Sequence, residues 1–102
     1  MPRYFTDDHL RRLRNEISWP ILLEKLGWPH KPRHGQLAFL CPRCQEYLSA
    51  VNPRTNLGRC FYCLTNFNPI EFTMAVAQCD FVAAVYYLEP LLRRGEPRRA
   101  AH

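Results

Sequence analysis

Four of the five cysteines fall into two pairs whose spacing suits a metal ion. The pairs are Cys41-Pro42-Arg43-Cys44 and Cys60-Phe61-Tyr62-Cys63, and 15 residues separate them. Two residues between cysteines allow a tight turn to aim both sulfurs at one ion, and a second such turn completes a tetrahedron. The spacing therefore predicts one structural Zn²⁺ ion held by Cys41, Cys44, Cys60 and Cys63.

Other chemistry for these cysteines stays open at this point. A mononuclear iron site has the same ligand count, a single Cys-x2-Cys can be a redox couple, and cysteines can pair as disulfides. The segment from Met1 to Asp8 has no apolar run of the signal-peptide type, so we expect a cytoplasmic protein. A reducing compartment favours metal over disulfides.

Three further side chains are weaker candidates for metal ligands. Cys79 lies in an apolar stretch and is expected to be a buried packing residue. His30 and His34 lie in a basic, proline-rich segment, but four cysteines already fill a structural zinc site. Such a closed site has no open position for substrate, and the nine acidic residues are scattered rather than clustered around a catalytic metal. We therefore expect that the chain is not an enzyme.

Composition indicates one basic domain. The chain has 102 residues, 47% of them apolar, and no run approaches the ~20 apolar residues of a membrane span, so no membrane partner is expected. The formal charge is +5, and twelve of the 14 basic residues are arginines. Four thiolates with one Zn²⁺ would lower the net charge to +3. Arginine favours bidentate contact with phosphate or with carboxylate.

Helical signals flank the cysteine region. Helices are predicted over 7–17, with Thr6 as N-cap, and over 19–26, between Ser18 and Gly27. Asn68 begins a third helix that runs to about Gln78. Asp80 begins a fourth over 81–89, which Pro90 breaks or kinks.

Short extended segments carry the cysteine turns. Strands are predicted over 36–40, 46–51 and 57–59, with a loop over 28–35 and a turn over 52–56. The predicted fold is α+β: a small antiparallel zinc-ribbon sheet flanked by N-terminal and C-terminal helices. Residues 1–92 form the single domain, and 93–102 form a basic, disordered tail. Because this sheet has little apolar surface, zinc would supply folding energy.

The stretch from Ile17 to Leu91 resembles the N-terminal zinc-binding domain of bacterial and phage DNA primases. That family has a Cys-Pro-x-His pair, a strand hairpin and a Cys-Phe-x-Cys pair, as in Cys41-Pro42-Arg43-Cys44 and Cys60-Phe61-Tyr62-Cys63. Phe81-Val82-Ala83-Ala84-Val85 is similar to its closing Phe-x-Glu-Ala-Val helix. The resemblance implies a zinc ribbon that binds DNA in replication or in a process related to mobile elements.

The sequence departs from that family at three points. Cys44 stands where the family has His, and Tyr47-Leu48-Ser49-Ala50 replaces a Lys-Thr-Pro-Ser-Phe segment on the surface linked with template DNA. Primases also need a separate domain whose carboxylates bind Mg²⁺. The chain is therefore expected to be a stand-alone module and not a complete primase.

Two functions compete on this sequence. The first is binding of single-stranded DNA, which needs cations and stacking aromatic rings. Its candidate residues are Lys31, Arg33, Arg43, Tyr47, Arg54, Arg59 and Tyr62. The alternative is a zinc-ribbon adaptor that recruits a replication or transposition protein. An apolar surplus at Tyr86, Tyr87, Leu91 and Leu92 favours the adaptor.

Overall fold

The computed structural model describes residues 5–95 of the chain, and side chains as far as residue 92. Two helices precede a five-stranded sheet, and two helices follow it. The elements are α1 (Asp7–Asn15), α2 (Trp19–Leu26), β1 (His30–Arg33), β2 (Gln36–Phe39), β3 (Ser49–Asn52), β4 (Leu57–Cys60), β5 (Asn66–Phe67), α3 (Pro69–Ala77) and α4 (Phe81–Gly95). This is the α+β architecture that the sequence predicts.

The predicted helix caps are confirmed. The Thr6 hydroxyl accepts the backbone N–H of His9 at 3.1 Å, and Ser18 begins α2. Asn68 and Glu71 form a reciprocal capping box, with N···O distances of 2.8 and 3.2 Å. Each cap satisfies backbone donors that a helix start leaves unpaired. These helices therefore begin at the residues that the local sequence signals indicate.

The sheet is antiparallel throughout, and its spatial order follows the sequence from β1 to β5. β1 and β2 are joined by His34 and Gly35, whose φ angles of 51° and 77° suit a two-residue hairpin turn. Side chains alternate between the two faces along each strand. One face therefore bears Phe39, Val51 and Phe67, and the opposite face bears their neighbours in the strands, Ala38, Ala50 and Asn66. We call the first the inner face and the second the outer face.

Aromatic rings join the inner face to the helices. Phe72 of α3 lies 5.3 Å from Phe39 and 5.9 Å from Phe67 between ring centroids, and 4.9 Å from Trp19 of α2. All four side chains are buried in one core cluster. Gly58 of β4 makes room for this packing, because a Cβ there would lie only 2.7 Å from the Phe39 ring.

One asparagine ties the β3–β4 hairpin to the helices. The side-chain amide of Asn56 donates to the backbone carbonyls of Arg14 (2.9 Å) and Ile17 (3.0 Å). The backbone carbonyl of Asn56 accepts a hydrogen bond from the indole N–H of Trp19 at 3.0 Å. Asn56 has φ of 57°, a left-handed conformation that asparagine tolerates better than most residues. The tip of the hairpin is thus fixed to the junction of α1 and α2.

The structure corrects the bounds of two predicted elements and adds two strands. Helix α1 ends at Asn15 rather than at residue 17. The predicted loop over 28–35 contains strand β1, because Pro32, which lacks an N–H, is tolerated in the edge strand of a sheet. The predicted strand over 46–51 begins only at Ser49. The two-residue strand β5 was not predicted.

Pro90 does not end the last helix. Helix α4 continues through Pro90 to Gly95, because Leu88, Leu91 and Leu92 on both sides of the proline are buried in the core. The first three residues of the predicted tail are therefore helical, and residues 96–102 lie outside the described part of the chain.

Within residues 5–95, no single helix is long and apolar enough to cross a membrane. Helices α3 and α4 reach that length and composition only as a pair, and the pair is bent by 116° at its junction.

Candidate metal centre

Strand ends place the four paired cysteines. Cys41 and Cys44 lie in the turn between β2 and β3, whereas Cys60 ends β4 and Cys63 lies in the turn toward β5. Backbone hydrogen bonds fix both turns, including Cys41 N–H to the Glu46 carbonyl (3.0 Å). Because β3 and β4 are neighbours in the sheet, their hairpin brings the two turns together.

The four sulfurs form a compact cluster. Sγ of Cys41 lies 3.7 Å from Sγ of Cys63, and Sγ of Cys44 lies 3.6 Å from Sγ of Cys60. All four lie within 4.8 Å of one another. A tetrahedron with Zn–S bonds of ~2.3 Å has S···S edges of about 3.8 Å, whereas a disulfide needs about 2.05 Å. The cysteines are free thiols at the spacing of a tetrathiolate metal site.

Hydrogen-bond donors surround two of the sulfurs. Burial opposes ionisation of Cys60, but the backbone N–H groups of Cys63 and Tyr62 and the Ser49 hydroxyl lower the pKa of its thiol to about 6. The Thr65 hydroxyl lies 3.3 Å from Sγ of Cys63 and lowers the pKa of that thiol. The second cysteine turn is therefore disposed to supply thiolates, the form that binds metal.

The first cysteine turn has the opposite tendency. Burial raises the pKa of Cys41, although backbone N–H groups of Cys44 and Arg43 oppose this shift. Burial and the neighbouring sulfurs raise the pKa of Cys44 to about 12. Four thiolates this close repel one another, so a cation at their centre is the natural way to hold all four ionised. The donor set fits a metal that prefers sulfur, such as zinc or iron, and does not fit a hard cation such as Mg²⁺.

No protein-family model matches this chain. No curated protein matches its sequence either.

The weaker ligand candidates lie outside the cluster. In the described part of the chain, the four paired cysteines are the one group of three or more potential ligand side chains close enough to share an ion. His30 lies in β1 with Nδ1 2.7 Å from the Trp28 carbonyl oxygen, and His34 lies in the hairpin turn. Cys79 is half-buried against the core, so the expectation of a packing residue is partly met.

The outer face brings together four of the predicted nucleic-acid residues. Lys31 and Arg33 lie beside Tyr47: the Lys31 ammonium is 5.0 Å from the Tyr47 ring centroid, and Arg33 donates to the Tyr47 carbonyl at 3.0 Å. Arg59 lies on the same face, where it donates to Oδ1 of Asn66 at 3.2 Å. Because Arg59 precedes Cys60 in β4, its side chain leaves the sheet on the side opposite the sulfur.

The other three predicted residues lie elsewhere. Arg54 is exposed at the tip of the β3–β4 hairpin, where its backbone N–H donates to Oδ1 of Asn52 at 2.9 Å. Arg43 lines a separate groove with Glu71 and Cys79. Tyr62 projects from the second cysteine turn and is 63% exposed. The seven residues therefore do not form one surface.

The structure adds two alanines to the outer face that the sequence prediction did not name. Ala38 and Ala50 are paired across β2 and β3, in the same row as Lys31 and Arg59. Phe61, which could have packed around the metal, is 61% exposed and borders this face. The available pattern was Leu37-Ala38-Phe39, in which a small residue stands between two large apolar ones.

Proposed function

We propose that the chain is a zinc-ribbon module that binds single-stranded DNA through the outer face of its sheet. The metal part of this proposal rests on the four-sulfur cluster. Zinc is the cation that such a closed, four-cysteine site most often holds, and its role here is to fold the ribbon rather than to catalyse a reaction. Free thiols at this spacing also suit a reducing compartment, in agreement with the cytoplasmic location that we propose.

The zinc assignment is tested by metal content. We expect one zinc per purified chain and a colourless protein, since an iron tetrathiolate absorbs visible light. Cys60→Ala removes a ligand and should abolish stoichiometric zinc and unfold the ribbon, whereas Cys79→Ala, outside the cluster, should retain one zinc. Equal metal loss in both variants, measured by elemental analysis, would exclude the cluster as the site.

The DNA part of the proposal rests on the charge of the outer face. Lys31 and Arg33 of β1 and Arg59 of β4 project from the same face of the sheet. Two clefts open on this face, one beside Arg33 and one beside Arg59, and no Asp or Glu of the described residues lines either cleft. A face with cations, amides and an exposed aromatic ring has the groups that single-stranded nucleic acid needs.

The primase-like motifs favour a role in replication or in a process related to mobile elements. They are the Cys-Pro-x-Cys turn, the Cys-Phe-x-Cys turn and the capped helix at Asn68. The replacement of the family's histidine by Cys44 leaves the ligand set complete, because Cys44 lies in the sulfur cluster. The catalytic step of priming would belong to a separate domain or protein.

The adaptor alternative has weaker support. Leu91 and Leu92, which suggested a surplus of apolar surface, are buried in the core, and Tyr87 packs beneath the Lys25 ammonium at 4.8 Å. Phe81 and Tyr86 remain partly exposed beside Phe5. This small cluster is the surface that an adaptor would use.

Binding to fluorescent oligothymidylate across a salt series tests the proposal. Three to five phosphate contacts predict a slope of log K against log salt of roughly −2 to −4 for a single strand. Arg59→Ala should weaken binding and lower the magnitude of the slope by the share of one phosphate contact. Arg14→Ala, on α1 and outside both clefts of the outer face, should change neither. A zinc-loaded protein that binds no single strand at low salt would favour the adaptor.

A further inference from the structure

Phe61 is a large apolar side chain that a rigid turn holds in the open. It lies between Cys60 and Cys63 in the second cysteine turn, and its backbone N–H donates to the Leu48 carbonyl at 2.9 Å. Its ring is 61% exposed. The cysteine turn and the hydrogen bond to Leu48 therefore hold the backbone of Phe61 in place. The ring itself projects into solvent. Such a ring loses little freedom when something stacks on it.

Two clefts flank this ring on the outer face. The first cleft has a volume of about 200 Å³ and is bordered by Phe61, Arg33, His34, Ala38 and Leu48. We call the second cleft the space of about 360 Å³ bordered by Phe61, Asn52, Leu57, Arg59 and Asn66. Gln36 and Ala50 border both clefts. Phe61 therefore borders two adjoining spaces along one face of the sheet.

The size of the clefts favours single planar rings. Drug-sized ligands occupy pockets of about 300–1,000 Å³, so one cleft lies below that range and the other lies near its lower limit. The small side chains of Ala38 and Ala50 create the space, since a larger residue at either position of the row would fill it. A flat base can lie against such a floor with its edge toward polar groups.

The groups around the clefts match a nucleotide in charge and in hydrogen bonding. Each cleft has one guanidinium, from Arg33 or from Arg59, and the Arg59 guanidinium lies 5.8 Å from the Phe61 ring centroid. The amides of Gln36, Asn52 and Asn66 supply donors and acceptors for base edges. No acidic side chain among residues 5–95 lines either cleft.

We propose that Phe61 inserts between two consecutive bases of a single DNA strand, with one base in each cleft. The arrangement rests on the proposed function and makes it more specific, because it assigns a two-nucleotide unit to a defined part of the face. Arg33 and Arg59 then neutralise the phosphates that flank this unit. Stacking on both sides of one ring explains why a phenylalanine beside a metal turn is exposed rather than buried.

The test is a comparison of two exposed aromatic residues that are adjacent in the chain. Tyr62 is 63% exposed in the same turn but lines neither cleft, so it is a matched control. Phe61→Leu should weaken binding of the metal-loaded full chain to dT8 roughly ten- to hundred-fold, since base stacking is lost on both sides. Tyr62→Leu should change the affinity less than about three-fold, and Phe61→Tyr should retain most of it.

A second measurement locates the bases. Oligothymidylates that carry two consecutive 2-aminopurines should show a fluorescence change with wild-type protein that Phe61→Leu loses and Tyr62→Leu retains. Metal content and far-UV circular dichroism should stay unchanged in all three variants, because both side chains are exposed.

The outcomes separate the two proposals. If Phe61→Leu binds dT8 as wild type does while Arg59→Ala binds weakly, the strand lies on the cations alone and the insertion is wrong, although DNA binding stands. Equal losses for Phe61→Leu and Tyr62→Leu would also overturn the two-cleft arrangement. If the metal-loaded wild type binds no single strand, the proposed function itself fails.

Discussion

At the residue scale, Ser49 links the sheet interior to the metal centre. It pairs with Cys60 across β3 and β4, on the inner face, and is only 2% exposed. Its hydroxyl makes no regular hydrogen bond with any group in residues 5–95, but it lies close enough to the Cys60 sulfur to lower the pKa of that thiol. A buried hydroxyl otherwise lacks compensation for lost water, so the thiolate is its natural acceptor.

We predict that Ser49→Ala weakens zinc affinity by roughly ten- to hundred-fold, the usual effect of removing a group that supports a metal ligand. Competition with a chromophoric chelator at neutral pH measures this change. Thr55→Ala, which removes an exposed hydroxyl from the β3–β4 turn, is the control and should leave the affinity unchanged. Equal affinity in Ser49→Ala and wild type would show that the hydroxyl does not act on the metal site.

At the element scale, Asn56 decides how the β3–β4 hairpin meets the helices. Its amide bonds two carbonyls at the end of α1 and in the α1–α2 junction, and its left-handed backbone shapes the turn. Asn56 therefore has two roles: its side-chain amide holds the helices, and its backbone conformation shapes the turn. They can be separated, because glycine accepts the backbone conformation but lacks the amide.

We predict that Asn56→Gly lowers the free energy of unfolding by about 1–3 kcal/mol, because the carbonyls of Arg14 and Ile17 lose their donor. Asn56→Ala should be less stable than Asn56→Gly by about another 1 kcal/mol, since alanine is strained in the left-handed region. Urea unfolding of the metal-loaded protein measures both. A fully stable Asn56→Gly variant would mean that the two hydrogen bonds contribute nothing.

Helix starts and the metal turns could be predicted from sequence because both depend on neighbours along the chain. Thr6, Ser18 and Asn68 cap helices through residues three positions later, and each Cys-x2-Cys turn is local. Strand β1 could not be predicted so easily, because Pro32 is excluded from a central strand but tolerated at an edge, and the sequence does not state which strand is the edge.

The outer face was only partly predictable for a related reason. Which residues lie on this face depends on the register of strand pairing. That register aligns Lys31, Ala38, Ala50 and Arg59 across four strands. Basic character identified Lys31 and Arg59, but the alanines carry no chemical signal of their own. Arg43 and Arg54 were grouped with them by composition and lie elsewhere.

At the scale of the whole molecule, the metal turns and the helices share one core. Cys41 and Cys60 belong to the same buried cluster as Trp19, Phe72 and Leu88. The sheet therefore has no separate interior that could be lost alone. Loss of the metal would allow the sulfurs to separate, and the inner face would then no longer support Phe72.

We predict that chelation removes metal and helical structure together. A chelator titration followed by far-UV circular dichroism and by metal release should give coincident transitions, and re-addition of zinc should restore the signal under reducing conditions. Cys79→Ala is the control and should behave as wild type does. A helical spectrum that survives complete metal removal would contradict the shared core and the role of the ion in folding.

The position of Pro32 affects the tendency of this chain to aggregate at high protein concentration. At one edge of the sheet, β1 contains Pro32, which has no backbone N–H to donate. At the opposite edge, β5 is only two residues long and leads directly into the helix that begins at Asn68 and Pro69. Both edges are therefore poor templates for the addition of strands from other molecules. The sheet thereby resists edge-to-edge growth into fibrils while its outer face stays accessible.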